Sequence, residues 1–215
     1  MGFVLFVISD VFFGVTKLNG GKIGINLLFI ALFQVLSVST LIHYSLKKTG
    51  KKFKDIGWDF SNWKKDSILG IIIGVSWMAL QFGWLIPATG GAERADVVHM
   101  ISMMDGTVIG LLAYIALGVI GGGITEEIYN RGYFITELKS KFKNPKVGLW
   151  IASVISILFF SAGHLPSDVL GWFDILVPTI AYTILFIATG RLTASIIAHG
   201  IYNMTAILMV YFLYF

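Results

Sequence analysis

The chain has 215 residues, of which 56% are hydrophobic and 13% are charged. Soluble domains carry about 25% charged residues, so this chain has too few charges to cover a water-soluble surface. Its mean hydropathy is +0.82, which excludes a soluble globular domain, a disordered chain and a disulfide scaffold. Because the apolar runs are continuous rather than short and alternating, they predict an all-α, polytopic transmembrane helix bundle and not a β-barrel.

The absence of cysteine excludes a thiol nucleophile, a cysteine-rich zinc site and a haem-attachment motif. The net charge of +4 comes from lysines in short segments between apolar runs, so we expect no nucleic-acid partner. The N-terminus, Met1-Gly2-Phe3, has no positive stretch and no small-residue cleavage site, so no signal peptide is predicted.

Six apolar stretches are long enough to cross about 30 Å of hydrocarbon. They cover residues 23–46, 67–87, 107–123 with a polar-faced continuation to about 138, 147–164, 174–190 and 193–214. A further apolar stretch, 3–16, is short and contains Asp10, so six to seven spans are expected. We find no internal repeat and no long linker, which predicts a single transmembrane domain over residues 1–215.

Lysines are concentrated in two segments, with seven in 47–66 and four in 139–146. In contrast, 88–106 has one arginine against three acidic residues, and 165–174 has no basic residue. The positive-inside rule therefore places 47–66, 139–146 and Arg191 in the cytoplasm. Lys17 and Lys22 then fall on the opposite side, which conflicts with this orientation.

Two adjacent carboxylates, Glu126 and Glu127, follow the glycine run 121–123, which weakens a helix and invites a break or a close backbone approach. On a helix Glu127 and Arg131 are i,i+4 neighbours and can form an ion pair. Glu126 points about 100° away and lacks that partner, which makes it a candidate general base. The same residues are also typical of an amphipathic interfacial helix with one salt bridge.

Two histidines occupy later spans. His164 ends the stretch 147–164, where a capped structural histidine is the alternative, and His199 lies i,i+4 from Asn203 in the last span. That pair could also be polar contacts between helices, worth about 0.6 kcal/mol. Since buried polar groups on separate spans each need a partner, we expect these three residues to converge with Glu126. A converged cluster has the proton carriers and donors for attack of water on an amide.

Helix length sets a condition on this convergence. Counting 1.5 Å per residue from the cytoplasmic ends places His199 roughly 9 Å deep, Glu126 roughly 18 Å and His164 roughly 26 Å. The three can meet only if span 147–164 begins well outside the bilayer or the 189–190 turn lies within it, with a kink at the glycine run as a further contribution.

Three motifs occur in order on successive spans: Glu-Glu-x-x-x-Arg at 126–131, Phe-x-x-x-His at 160–164 and His-x-x-x-Asn at 199–203. They resemble the CPBP family, the type II CAAX prenyl endopeptidases and bacteriocin-processing enzymes also called Abi proteins. Gly132 and the Thr189-Gly190 turn extend the resemblance, which covers about residues 107–205. The resemblance implies an intramembrane endopeptidase with its catalytic core in that region.

The resemblance also implies a role for each motif residue. Glu126 and His164 would activate the hydrolytic water, and His199 and Asn203 would hold the oxyanion. The ion pair of the first motif would support the site. Its substrate would be a peptide or membrane protein, cleaved near the cytoplasmic side, and its other partners membrane lipids.

Prenylated CAAX proteins are the eukaryotic substrates of this family. A lysine-rich, cysteine-free, short chain is more typical of bacteria, so we expect an integral protein of the bacterial plasma membrane. Bacterial relatives are associated with peptide processing and with self-immunity to bacteriocins. Two other functions stay open: a non-catalytic immunity or regulatory protein of the same fold, and a proton-coupled transporter. The chain lacks the repeated half with paired broken helices that many transporters have.

A metal is the alternative to direct activation of water. Glu126, His164 and His199 could form a Glu-His-His zinc site with water as the fourth ligand. However, no i,i+4 histidine pair pre-forms that site, and Asn203 is a better oxyanion donor than zinc ligand. We therefore expect a mechanism without metal or other cofactor, with zinc as the alternative.

Overall fold

A computed structural model describes residues 2–215, which form helices joined by turns, with no strand among them. The helices of this described chain are α1 Gly2–Thr16, α2 Asn26–Lys48, α3 Trp63–Ala88, α4 Ala95–Ser102, α5 Val108–Lys139, α6 Pro145–Gly163, α7 Val169–Thr189 and α8 Thr193–Tyr214. Six of them are long and apolar enough to cross a membrane, whereas α1 and α4 are shorter. The predicted all-α, polytopic fold is confirmed.

The observed helix boundaries lie within a few residues of the predicted spans, and the largest difference is at α7. This helix begins at Val169 rather than at 174, because Asp168 caps it. The Asp168 carboxylate accepts a hydrogen bond from the backbone N–H of Gly171 at 2.7 Å, which satisfies one of the free N–H groups of the first turn.

The chain divides into two compact units. Unit 1 consists of Met1–Leu41, Gly74–Thr125 and Gly200–Phe215, and unit 2 consists of Ile42–Ile73 and Glu126–His199. Helices α2, α3, α5 and α8 each contribute residues to both units. The single domain expected from the sequence stays a prediction.

Unit 1 contains an apolar core and a group of polar contacts between α1 and its neighbours. Asp10, the charged residue in this otherwise apolar helix, forms an ion pair with Lys22. The Gln34 side-chain amide donates to the same carboxylate at 3.2 Å and to the backbone oxygen of Phe6 at 3.0 Å. Lys22, which conflicted with the predicted orientation, therefore neutralises a charge that would otherwise be costly in an apolar helix.

Helix α5 passes through the glycine run without a break, and of the two expected outcomes it is the close approach that occurs. Residues Leu117–Glu126 and Ile128–Phe134 adopt wider π-helical turns instead, in which the backbone bonds i to i+5. A side chain at Gly121 would place its Cβ 2.7 Å from Oε1 of Gln34. The small residue thus allows a close approach of α2, while the wide turns keep the helix continuous up to the acidic pair.

Unit 2 packs around Tyr182, Leu185, Ala194 and Ala198. Gly132 of α5 lies against the segment that precedes α3, because a Cβ there would be 2.8 Å from the backbone oxygen of Ile56 and 3.0 Å from Cδ1 of Leu192. Unit 2 also contains the buried charged side chains Glu127 and Arg131, which form the centre of the candidate site.

Candidate functional site

A fully buried ion pair forms the centre of the site. Glu127 and Arg131 are i,i+4 neighbours in α5, and Nη1 of Arg131 lies 2.9 Å from Oε1 of Glu127. Their side chains are 0% and 1% exposed. Since an unpaired charge at such a position costs several kcal/mol, each of these two residues requires the other.

The Arg131 guanidinium is held on its remaining sides by aromatic rings and a carbonyl. Its central carbon lies 4.6 Å from the ring centre of Phe160 and 5.8 Å from that of Tyr182. Its Nη2 donates to the backbone oxygen of Thr179 at 3.4 Å. The flat guanidinium suits such stacking, and cation–π contacts are strengthened by desolvation.

His199 of α8 is bound to the same carboxylate. Its Nδ1 lies 2.9 Å from Oε1 of Glu127. Its ring stacks on Tyr182 at 4.9 Å and meets the Phe160 ring edge-on at 6.4 Å. The imidazole plane is therefore set by one hydrogen bond and two rings, and Nε2 is left to face another group.

That other group is Glu126. Nε2 of His199 lies 3.9 Å from Oε2 of Glu126, which is too long for a direct hydrogen bond. The Glu126 side chain is 23% exposed, in contrast to 0% for Glu127. The two adjacent carboxylates thus occupy different environments, and Glu126 is the accessible one.

Asn130 connects α5 to α6 next to the site. Its side-chain amide donates to the backbone oxygen of Glu126 at 3.0 Å, and its own backbone oxygen accepts from the Ser156 hydroxyl at 2.9 Å. The first bond uses the backbone of Glu126, so the Glu126 carboxylate is left for other partners.

Phe160 explains how α6 reaches the site. From Pro145 to Phe160 the helix rises about 22 Å, whereas from Thr193 to His199 helix α8 rises about 9 Å. Because the Phe160 and His199 rings are in contact, α6 begins about 13 Å further out than α8 if the two run alongside each other. This offset is the one that convergence requires, with either span 147–164 beginning outside the bilayer or the 189–190 turn lying within it.

His164 lies next to Phe160. Its ring centre is 4.5 Å from that of Phe160, and its Nδ1 bonds to the Phe160 backbone oxygen at 2.9 Å. Within residues 2–215 no direct hydrogen bond joins His164 to Glu126 or His199. The structure therefore brings His199 and the two glutamates together directly, and His164 only by way of Phe160.

Asn203 belongs to unit 1. Its amide Nδ2 donates to the backbone oxygen of Gly118 at 2.9 Å, and a Cβ on Gly118 would lie 3.2 Å from the Cβ of Asn203. An amide nitrogen carries two hydrogens, so this bond leaves one for another acceptor. The oxyanion role of Asn203 stays a prediction from the sequence.

The set Glu126, His164 and His199 is not arranged as a metal centre. In the described part of the chain, no group of three or more His, Asp or Glu side chains is placed to hold a metal ion. The choice between direct and metal-assisted activation of water is a question for experiment.

Sequence reasoning missed the contribution of α7. Thr179 and Tyr182 are i,i+3 neighbours and share a helix face. The backbone oxygen of Thr179 accepts a hydrogen bond from Arg131, and the Tyr182 ring stacks on His199. The polar aromatic residue Tyr182 in an apolar span was the available signal, whereas Thr179 contributes its backbone oxygen, which the sequence does not mark.

The fold and this cluster define a polytopic helical membrane protein with a buried Glu-Arg-His site. Intramembrane hydrolases and proton-coupled transporters both belong to this class. Residues 108–205 match the model of a protein family described as type II CAAX prenyl endopeptidase Rce1-like. This segment contains all three motifs, and the match confirms the resemblance to the CPBP family. Comparisons with curated proteins and with solved structures gave no significant match.

Proposed function

We propose that this protein is an intramembrane endopeptidase in which Glu126 and His199 act on a water molecule and a peptide bond. The observation that carries the proposal is the 3.9 Å separation of Nε2 of His199 and Oε2 of Glu126. A water about 2.8 Å from both atoms forms a triangle with them, at normal hydrogen-bond distances. One water can thus contact the accessible carboxylate and the imidazole at the same time.

The charges of the cluster support this division of roles. Two carboxylates face the Arg131 guanidinium and the His199 imidazole, so the four groups are electrically neutral when the imidazole carries a proton. Neutrality is favoured where solvent is scarce, because an uncompensated buried charge is costly. In that state Glu126 is a base and Nε2–H of His199 is a hydrogen-bond donor.

The proposed reaction follows from these states. Glu126 takes a proton from the water as its oxygen attacks the carbonyl carbon of the peptide bond. Nε2–H of His199 donates to the oxyanion that forms on the carbonyl oxygen. When the C–N bond breaks, the leaving nitrogen takes the proton from Glu126. Glu127 stays ionised and holds the imidazole through Nδ1.

The proposed substrate is a peptide or a membrane protein, and the proposed location is the plasma membrane of a bacterium. The lysine-rich segments 47–66 and 139–146 favour a site that is entered from the cytoplasm and that attracts an anionic or carboxylate-bearing peptide end. For His164 we propose a supporting role as a second proton carrier, through water.

A second candidate is a non-catalytic immunity or regulatory protein of the same family. The observation that favours it is the position of His164, whose Nδ1 bonds to the Phe160 backbone rather than to a carboxylate. In that case the ion pair and His199 stabilise the helices without turning over a substrate.

The test uses purified protein in proteoliposomes with a library of membrane-embedded peptides, and fragments are identified by mass spectrometry. Glu126→Gln and His199→Gln are compared with Glu137→Gln, a control acidic residue outside the site that pairs with Lys51. We expect fragments from the wild type and Glu137→Gln alone. Fragments at the wild-type rate from Glu126→Gln would contradict the mechanism, and the absence of cleavage across the library would favour the second candidate.

A further inference from the structure

Asp66 and Arg191 form an ion pair in unit 2, although the sequence placed both in segments outside the spans. Nε of Arg191 donates to Oδ2 of Asp66 at 2.6 Å and Nη2 donates to Oδ1 at 2.8 Å. The Asp66 side chain is fully buried and that of Arg191 is 19% exposed. Two parallel bonds between a guanidinium and a carboxylate fix the relative orientation of both groups.

Arg191 lies in the turn that connects α7 to α8, and this turn has two further attachments. Gly190 ends α7 in a left-handed conformation with a φ of +66°. The backbone N–H of Leu192 donates to the oxygen of Gly57 at 2.8 Å, and the Thr193 hydroxyl donates to the backbone oxygen of Asp59 at 3.4 Å. The segment before α3 therefore determines where α8 begins.

Gly70 extends the contact along α3. A Cβ at this position would lie 2.6 Å from the backbone oxygen of Ala194 and 2.9 Å from the Cβ of Ile197. Helices α3 and α8 approach this closely because residue 70 has no side chain. Contacts with α3 and the segment before it thus fix the position of the first turns of α8 along the helix axis and their separation from α3.

We propose that Asp66 and Arg191 are positioning residues for His199. They act through the first turns of α8, whose height sets the distance of Nδ1 from Glu127 and of Nε2 from Glu126. This inference rests on the proposed function only for its effect on catalysis. The effect on the imidazole itself is independent of any substrate.

The expected consequences follow from helix rigidity. Residues 193–199 are one continuous stretch of helix, so a shift of the 190–192 turn is transmitted to His199 rather than absorbed before it. A displacement of about 1 Å at a catalytic group costs up to about 100-fold in rate. Loss of the Asp66–Arg191 pair should therefore lower kcat far more than it raises KM.

The test measures His199 directly. The protein is labelled with 15N-histidine in detergent, and the ring signals of His199 are assigned by comparison with His199→Gln. Asp66→Asn, Arg191→Lys and the control Glu137→Gln are compared at one pH, with thermal stability measured in parallel. Glu137→Gln removes an ion pair of unit 2, Lys51–Glu137 at 2.7 Å, that lies outside the turn before α8.

We expect Asp66→Asn and Arg191→Lys to shift both ring nitrogen signals of His199. Asparagine removes the charge of the carboxylate, and lysine keeps the positive charge but loses the two-pronged contact. Glu137→Gln should leave these signals unchanged. Asp66→Glu keeps a carboxylate, so its signals should lie closer to those of the wild type than the signals of Asp66→Asn do. Unchanged His199 signals in Asp66→Asn and Arg191→Lys would overturn the proposal, even if both variants melt earlier.

A further variant covers the case in which Asp66→Asn does not fold. Gly70→Ala keeps the ion pair and pushes α8 away from α3, so it should shift the same His199 signals. If the variants shift the His199 signals but the wild type has no peptidase activity, the proposed function is contradicted and the positioning role stands. Unshifted signals in Gly70→Ala and Arg191→Lys alike would contradict the positioning role.

Discussion

Nδ1 of His199 lies 2.9 Å from Oε1 of Glu127, the same oxygen that lies 2.9 Å from Nη1 of Arg131. One carboxylate oxygen therefore joins α5 to α8 and is already occupied by two cationic or donor groups. The neighbouring Glu126 has neither partner at bonding distance. This difference between two adjacent glutamates is the basis of the following predictions.

Glu126→Gln should abolish proteolysis with little loss of stability. The side chain is partly exposed, and its nearest cationic group, Nε2 of His199, is 3.9 Å away, whereas the removal of a general base lowers rates by about 10²–10⁴-fold. The measurement is fragment release by the purified variant, together with its melting temperature. Wild-type turnover in Glu126→Gln would remove this residue from the mechanism.

Glu127→Gln and Arg131→Ala should lower both stability and activity. Each change leaves the other member of a buried pair uncompensated, which typically costs about 3–5 kcal/mol. Thermal unfolding in detergent measures the effect, with Glu137→Gln as the control for a more exposed ion pair. Unchanged melting temperatures in both variants would show that the buried pair does not stabilise the fold.

Gly132→Ala should destabilise the protein by about 1–3 kcal/mol, the usual range for overpacking. The added Cβ would lie 2.8 Å from the backbone oxygen of Ile56, and a backbone atom cannot move aside as a side chain can. Gly83→Ala is the matched control, because nothing lies within 4 Å of a Cβ there. Gly83→Ala should raise the free energy of unfolding by about 0.5–1 kcal/mol, because glycine is less stable than alanine inside a helix. Equal melting temperatures for the two variants would contradict the close contact at Gly132.

The lysine-rich face should be cytoplasmic. The chain has no native cysteine, so single cysteines can be labelled without background. Lys52→Cys should react with a membrane-impermeant thiol reagent only after cells are opened, and Ala92→Cys, in the acidic segment, should react from outside intact cells. Both positions are exposed. The reverse pattern would invert the orientation.

Proteolysis should survive a strong chelator. The mechanism proposed here uses Glu126 as base and His199 as donor, and neither step needs a Lewis acid. Elemental analysis of active protein accompanies the chelation. Stoichiometric zinc, with activity lost on chelation and recovered on zinc addition, would make Glu126, His164 and His199 ligands instead.

The class of fold follows from the amino-acid sequence alone, because hydrophobic length and continuity decide whether a segment can cross a bilayer. It also predicted the Glu127–Arg131 pair, since i,i+4 contact is a local property of a helix. The spacing of the three motifs identified the family over 108–205. Each of these conclusions depends on residues that are close along the chain or on composition.

The contacts between groups far apart in the chain could not be predicted and are known from the three-dimensional structure. The Tyr182 ring that stacks on His199, the Phe160 ring beside Arg131 and the Asp66–Arg191 pair all join separate helices. Their contacts depend on how far each helix extends before it reaches its neighbour, as with the approximately 13 Å offset of α6 from α8. Local spacing does not contain such contacts, because they join residues far apart in the chain, as in the close packing of Gly70 against α8.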